Sequence, residues 1–142
     1  NMRDVLEVRK ALEELAVQLA CDKITKEEIE EMKKAAEDFK KILKSKDITE
    51  IAEADVRFHD IIYMATDNQK LIQLLNNLRE QMYRYRVEYL KREEAYPQLI
   101  AEHAAIIEYI SKGEKKAATD VMCKHIDNQV TTVIDVIRTK QN

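Results

Sequence analysis

The sequence predicts an all-α fold, a single antiparallel bundle of about six helices. Three observations carry this. Gly and Pro occur once each, so tight turns and β-hairpins have almost no material. Charged residues make up 36% and hydrophobic residues 45%, the mixture of amphipathic helices. Apolar residues also recur at the 3.6-residue helical period along most of the chain. The 142 residues suit one domain, 1–142. At this size folding buries roughly 68–70% of the unfolded chain's surface, enough for a core without staples.

The first helix is predicted over about residues 4–22, with Val5, Val8, Leu12, Leu15, Ala16 and Leu19 on its inner face. Thr25 is placed to cap the second, and Glu28 completes a capping box. The stripe of that helix is Ile29, Met32, Ala36, Phe39 and Leu43, and its lysines form a solvated face. Asp47 or Thr49 starts the third helix, which runs to about Thr66. Asp67-Asn68 breaks and recaps the chain. A long fourth helix follows, with Leu71, Leu74, Leu75, Leu78, Met82, Tyr85 and Tyr89 inward. Pro97 opens the fifth helix in its first turn, and Gly113 ends it. The sixth runs from Glu114 to about Thr139. The short connections favour antiparallel neighbours.

A net charge of −3 and a pI near 5.7 give no footprint for nucleic acid on this chain. No run of about 20 apolar residues suggests a membrane span. Cys21 and Cys123 fit no metal or redox spacing, and a reduced, cytoplasmic setting is the simpler reading. Gly is nearly absent, so phosphate loops and nucleophile elbows are excluded.

Histidine occurs three times. His59 centres the stripe of the third helix, one turn after Asp55, so carboxylate and imidazole share a face. His103 lies among Leu99, Ile106, Ile107 and Ile110 of the fifth helix. His125 lies among Ala118, Val121, Thr132 and Val136 of the sixth, with Asn128 and Gln129 close by. A buried Asp is costly unless paired or bound to a metal. One ion would satisfy Asp55, His59, His103 and His125 together. Nitrogen and carboxylate donors suit Zn²⁺, Ni²⁺, Mn²⁺, Fe²⁺ or Co²⁺, with Zn²⁺ or Ni²⁺ favoured, and not Ca²⁺. Spacing leaves the alternative open, three core histidines satisfied by local hydrogen bonds.

Several segments together resemble a known family. These are Arg9-Lys-Ala-Leu-Glu13, then Asp55-Val-Arg-Phe-His59-Asp-Ile-Ile, and then Ala65, Asn68 and Leu71. Glu102-His103-Ala-Ala-Ile-Ile follows, and last Gly113-Glu-Lys-Lys-Ala117 leading to His125. Nearly the whole chain resembles the C-terminal effector-binding (FCD) domain of GntR-type, FadR-like transcription regulators, in the smaller VanR-like branch. Tyr109 and Glu114 depart mildly from the pattern. The resemblance implies a bundle holding a divalent metal through that Asp and those His, with a small carboxylate effector on or beside it. It also implies a homodimer, and DNA contact only through an N-terminal winged helix-turn-helix not present in this chain.

An effector carboxylate needs a second anchor, and an Arg fork matches it. Arg9 is the first candidate, its alternative a salt bridge to Glu13; Arg86 is the second. Arg84 points to solvent. Asn128 and Gln129 are placed to hold a metal-bound water or effector at His125. Tyr63 and Tyr96 read as core residues, and Tyr83 as exposed on a face open to dimerisation. A metal-dependent hydrolase is the enzymatic alternative, disfavoured because Glu102 projects away from His103 and no other inward base is apparent. A purely structural bundle is the third reading. The sensor is expected, not an enzyme.

Overall fold

The computed structural model describes residues 2–141 and is helical throughout. Its helices are α1 (Met2–Lys23), α2 (Lys26–Ile42), α3 (Ile48–Ala65), α4 (Gln69–Asn77), α5 (Arg79–Leu90), α6 (Tyr96–Ser111) and α7 (Lys115–Gln141). Short 3₁₀ turns, Leu43–Ser45 and Glu93–Ala95, follow α2 and precede α6. The predicted fold class holds. α2 packs on α3 and α6, α1 on α7 and α3, and α5 on α3 and α7.

The ends form where the side chains dictate. Thr25 and Glu28 make the reciprocal capping box, with Glu28 N–H donating to Thr25 Oγ1 and Thr25 N–H to Glu28 Oε1. Asp47, rather than Thr49, caps α3, and Asn68 caps α4. Gly113 takes φ +68. Its N–H reaches the Ile110 carbonyl while Glu114 N–H reaches that of Tyr109, a Schellman end.

Three expectations are corrected. The long fourth helix is broken at Leu78, whose N–H turns back to Leu75 at 3.1 Å, three residues away. No Gly or Pro marks this break, and the inward spacing of Leu71, Leu75, Leu78, Met82 and Arg86 runs through it undisturbed. The inner face of α1 is also rotated. It buries Leu6, Arg9, Glu13, Ala16, Val17 and Ala20, while Val8 and Leu15 are 50% and 42% exposed. Charged Arg9 and Glu13 sit inside, so the apolar stripe misreports which side is buried. Leu74, also assigned inward, is exposed. The Val136 side chain lies outside the described residues.

The apolar core has three parts. One joins Val17, Met32, Phe58, Ile62, Ile106 and Met122. A second joins Phe39, Ile51, Tyr89, Leu90 and Leu99, and a third Ala16, Tyr63, Leu71 and Leu75. The predicted solvated lysines of α2 are exposed. No described helix is long and apolar enough to cross a membrane.

Cys21 and Cys123 are unbridged. The Cys123 thiol donates to Glu14 at 2.9 Å across the α1–α7 seam. Burial and that carboxylate push its pKa up to about 12. The thiolate is the reactive form, so iodoacetamide at pH 8 should alkylate Cys123 at least about tenfold more slowly than a free thiol. Glu14→Gln should restore much of the rate, read by mass spectrometry of the Cys123 peptide. Because the folded-state pKa is the higher one, the native chain keeps this proton when the unfolded chain has lost it. Stability from this group therefore falls as pH rises from about 9 towards 12.

Candidate metal centre

Between the apolar clusters lies a polar one, supplied by α1, α3, α5, α6 and α7. Asp55, His59, His103 and His125 are each at most 1% exposed. The three histidines offer ring nitrogens that all lie within 4.8 Å of one another. Asp55 Oδ1 is 3.0 Å from His103 Nε2 and 3.6 Å from His59 Nε2. Donors about 2.0–2.2 Å from one ion, at tetrahedral or octahedral angles, stand about 3.0–3.5 Å apart. The Asp55–His103 contact matches that spacing and the Asp55–His59 contact is slightly longer, and the nitrogen-rich donor set fits a first-row divalent ion.

Unpaired atoms support the fit. Neither nitrogen of His59 has a hydrogen-bond partner among the described residues, nor does Nδ1 of His103. Glu13 Oε2 stands 4.0 Å from His59 Nδ1, too far for a hydrogen bond. Burial lowers the His59 pKa despite Asp55 and Glu13, favouring the neutral ring that a metal requires. Burial opposes the charge of Asp55, yet His59, Arg86 and the His103 hydrogen bond hold its carboxyl well below the ordinary range.

His125 is held from both sides. Its Nδ1 lies 2.8 Å from Glu102 Oε1, and its Nε2 3.2 Å from Gln129 Nε2. Arg9 donates to Gln129 Oε1 at 2.9 Å, which turns the Gln129 amide NH₂ towards the imidazole. The ring therefore carries its proton on Nδ1, towards Glu102, and presents a lone pair at Nε2. A carboxylate on the far nitrogen is the usual support of a metal-binding histidine.

Arg86 is buried and donates from Nε to Asp55 Oδ2 at 2.7 Å; its Nη2 has no partner among the described residues. Arg9 is buried too, with Nε 3.7 Å from Glu13 Oε1, so the salt bridge to Glu13 is present. Asn128 stands one step out, donating to Glu102 Oε2 at 3.2 Å. Arg84 is exposed. The Tyr96 hydroxyl donates to the Leu90 carbonyl, outside the cluster.

Residues 4–128 match the FCD domain, a span that holds all four candidate ligands. The chain belongs to the FCD domain family. One relative is an uncharacterized HTH-type transcriptional regulator, YdhC of Bacillus subtilis (strain 168), 25% identical over 129 residues. That alignment takes in 90% of this chain and 58% of the relative, so the chain spans little more than half the length of the curated relative it matches.

Two residues of this FCD domain's polar core, Glu102 and Glu13, were given no site role by the sequence reading. Glu102 is nearly buried and holds His125; it projects away from His103 on its own helix only to reach α7. Glu13 was seen only as a partner of Arg9, yet it also accepts a hydrogen bond from Tyr63. Burial and the Glu13 charge raise the Tyr63 pKa well above the usual phenol range, so Tyr63 stays a donor. The E-H pair at Glu102-His103 was the available signal for Glu102. Tyr83 is half-buried against the second apolar cluster, not freely exposed as expected.

Proposed function

We propose that this FCD domain is the metal-dependent, carboxylate-sensing part of a bacterial GntR-type transcription regulator. Asp55, His59, His103 and His125 hold a divalent ion, with Zn²⁺ or Ni²⁺ favoured. The observation that carries the reading is the convergence of three buried histidines from three helices, two of them with unpaired nitrogens. When bound, such an ion offers open coordination positions to an acid.

Charge balance supports a carboxylate effector. Among the buried residues near the site, Arg9 and Arg86 carry two positive charges against three negative ones on Glu13, Asp55 and Glu102. A divalent ion turns that excess of one negative charge into one positive charge, which a single carboxylate of the effector neutralises. Arg86, through its free Nη2, and Arg9 are the anchors for the acid; Gln129 contacts it beside His125, and Asn128 acts through Glu102. Binding changes the packing of α3, α5 and α7, and this reorients an N-terminal winged helix-turn-helix on DNA. The switch requires the acid to bind the two arrangements with different affinity. The full-length regulator works in the cytoplasm as a homodimer on paired half-sites.

The deciding experiment is a thermal-shift screen of the Zn²⁺- or Ni²⁺-loaded domain against dicarboxylates, hydroxy acids and sugar acids. An acid at about 100 times its Kd stabilises by about 2.7 kcal/mol, a rise of roughly 5–15 °C in Tm. If no acid moves the loaded protein, the effector reading is wrong. A chain that retains no metal after dialysis refutes the metal reading and leaves a structural bundle.

A further inference from the structure

Two spaces meet at one ion pair. On the outer side, α3 and α5 flank an open groove of about 720 Å³ lined by Glu53, Arg57, Tyr83 and Arg84. On the inner side is a cavity of about 10 Å³ whose walls include His59, Tyr63, Met82 and Arg86. Val56 and Arg79 line both spaces, so they form the wall between them. Arg79 is clamped there in a fork, its Nη2 donating to Asp60 Oδ1 at 2.9 Å and its Nη1 to Asp60 Oδ2 at 3.3 Å. It also grips Asn76 Oδ1 from across the helix break at Leu78.

The inner cavity has room for about one water molecule. Its walls nevertheless include His59 and Arg86, two residues that carry unpartnered atoms of the site, both nitrogens of His59 and Nη2 of Arg86. A carboxylate of even two carbons does not fit unless the wall gives way. The wall is built to do so. Arg79 opens α5 immediately after Leu78, so the first turn of α5 can shift without breaking a continuous helix. The ion pair that holds it is half exposed on both sides and correspondingly weak.

A second groove, of about 460 Å³ between α2 and α6, approaches His103 past Lys33 and Lys40. His103 lines it, but it touches neither Arg86 nor His59.

We propose that the site exchanges its ligands with solvent through the α3–α5 groove, past Val56, and that the Arg79–Asp60 ion pair is the latch on that passage. The proposal rests on the metal reading of the site. Opening the latch moves the start of α5, which carries Arg86, so admission of a ligand and the shift of α5 are one event.

Co²⁺ alone is the probe, its uptake followed by visible absorption in stopped flow and its release by excess EDTA. Arg79→Ala and Asp60→Asn should each speed uptake and release alike, by about threefold, and leave Kd within about twofold. Val56→Trp, which fills the passage, should slow both rates by more than about tenfold. Ala104→Trp, on the α2–α6 groove, should change neither. The latch is refuted if Arg79→Ala and Asp60→Asn leave the rates alone, or raise release only. The passage is refuted if Ala104→Trp slows exchange and Val56→Trp does not. A wild-type chain that takes up no Co²⁺ overturns the metal reading, and this one with it.

Discussion

Replacing Arg86 by Met is expected to cost about 3–5 kcal/mol in the metal-free protein, the usual consequence of stripping one partner from a buried ion pair. Asp55 is 1% exposed, and its charge rests on the 2.7 Å contact with Arg86 Nε and on His103. Met preserves most of the packing volume of the Arg stem, so the loss measures the abandoned carboxylate more than a cavity. Tm should fall by on the order of 10–20 °C, read by circular dichroism and checked by urea unfolding. Adding Asp55→Asn in the Arg86→Met background should recover part of the loss, because a neutral amide is cheaper to bury than an unpaired carboxylate. Excess Zn²⁺ should stabilise Arg86→Met more than it stabilises the wild type, since the ion then supplies the only strong countercharge. A loss below about 1 kcal/mol, the value of an exposed pair, would mean that Asp55 is solvated or protonated in the native state.

The same buried charges explain where sequence reading succeeded and where it failed. On α3 the signal was local: Asp55 and His59 lie one turn apart on a stripe whose other members are apolar, and both are buried as expected. On α1 the charged pair Arg9 and Glu13 occupies the buried face itself. Hydropathy therefore turned the helix towards Val8 and Leu15, which are exposed. A wheel also describes one helix at a time. It located Glu102 relative to His103 but could not show that Glu102 reaches His125 on another helix. The break at Leu78 left no trace because the inward spacing continues across it. Capping residues, in contrast, act within four positions, and Thr25, Asn68 and Gly113 were all legible.

Removing one imidazole from the cluster gives the second large effect. In the wild-type domain, metal at about 1,000 times its Kd should add about 4 kcal/mol of stability. His103→Ala should erase nearly all of that increment at the same metal concentration. His103 supplies a nitrogen 3.0 Å from Asp55 Oδ1, and no other described nitrogen donor stands as close to that oxygen. Glu102→Gln is the finer instrument. It leaves every candidate ligand in place but weakens the carboxylate that receives the Nδ1–H of His125, and such supports are worth about 10–100-fold in metal affinity. Competition titration against a chromophoric chelator should therefore rank wild type above Glu102→Gln, and Glu102→Gln above His103→Ala. Metal-free unfolding separates the causes. A hydrogen-bonded core histidine with no metal role predicts the same loss of stability with and without the ion, whereas a ligand predicts a loss that grows with metal concentration. Equal affinity in all three proteins would remove the metal from this site and leave the polar core as a device for packing alone.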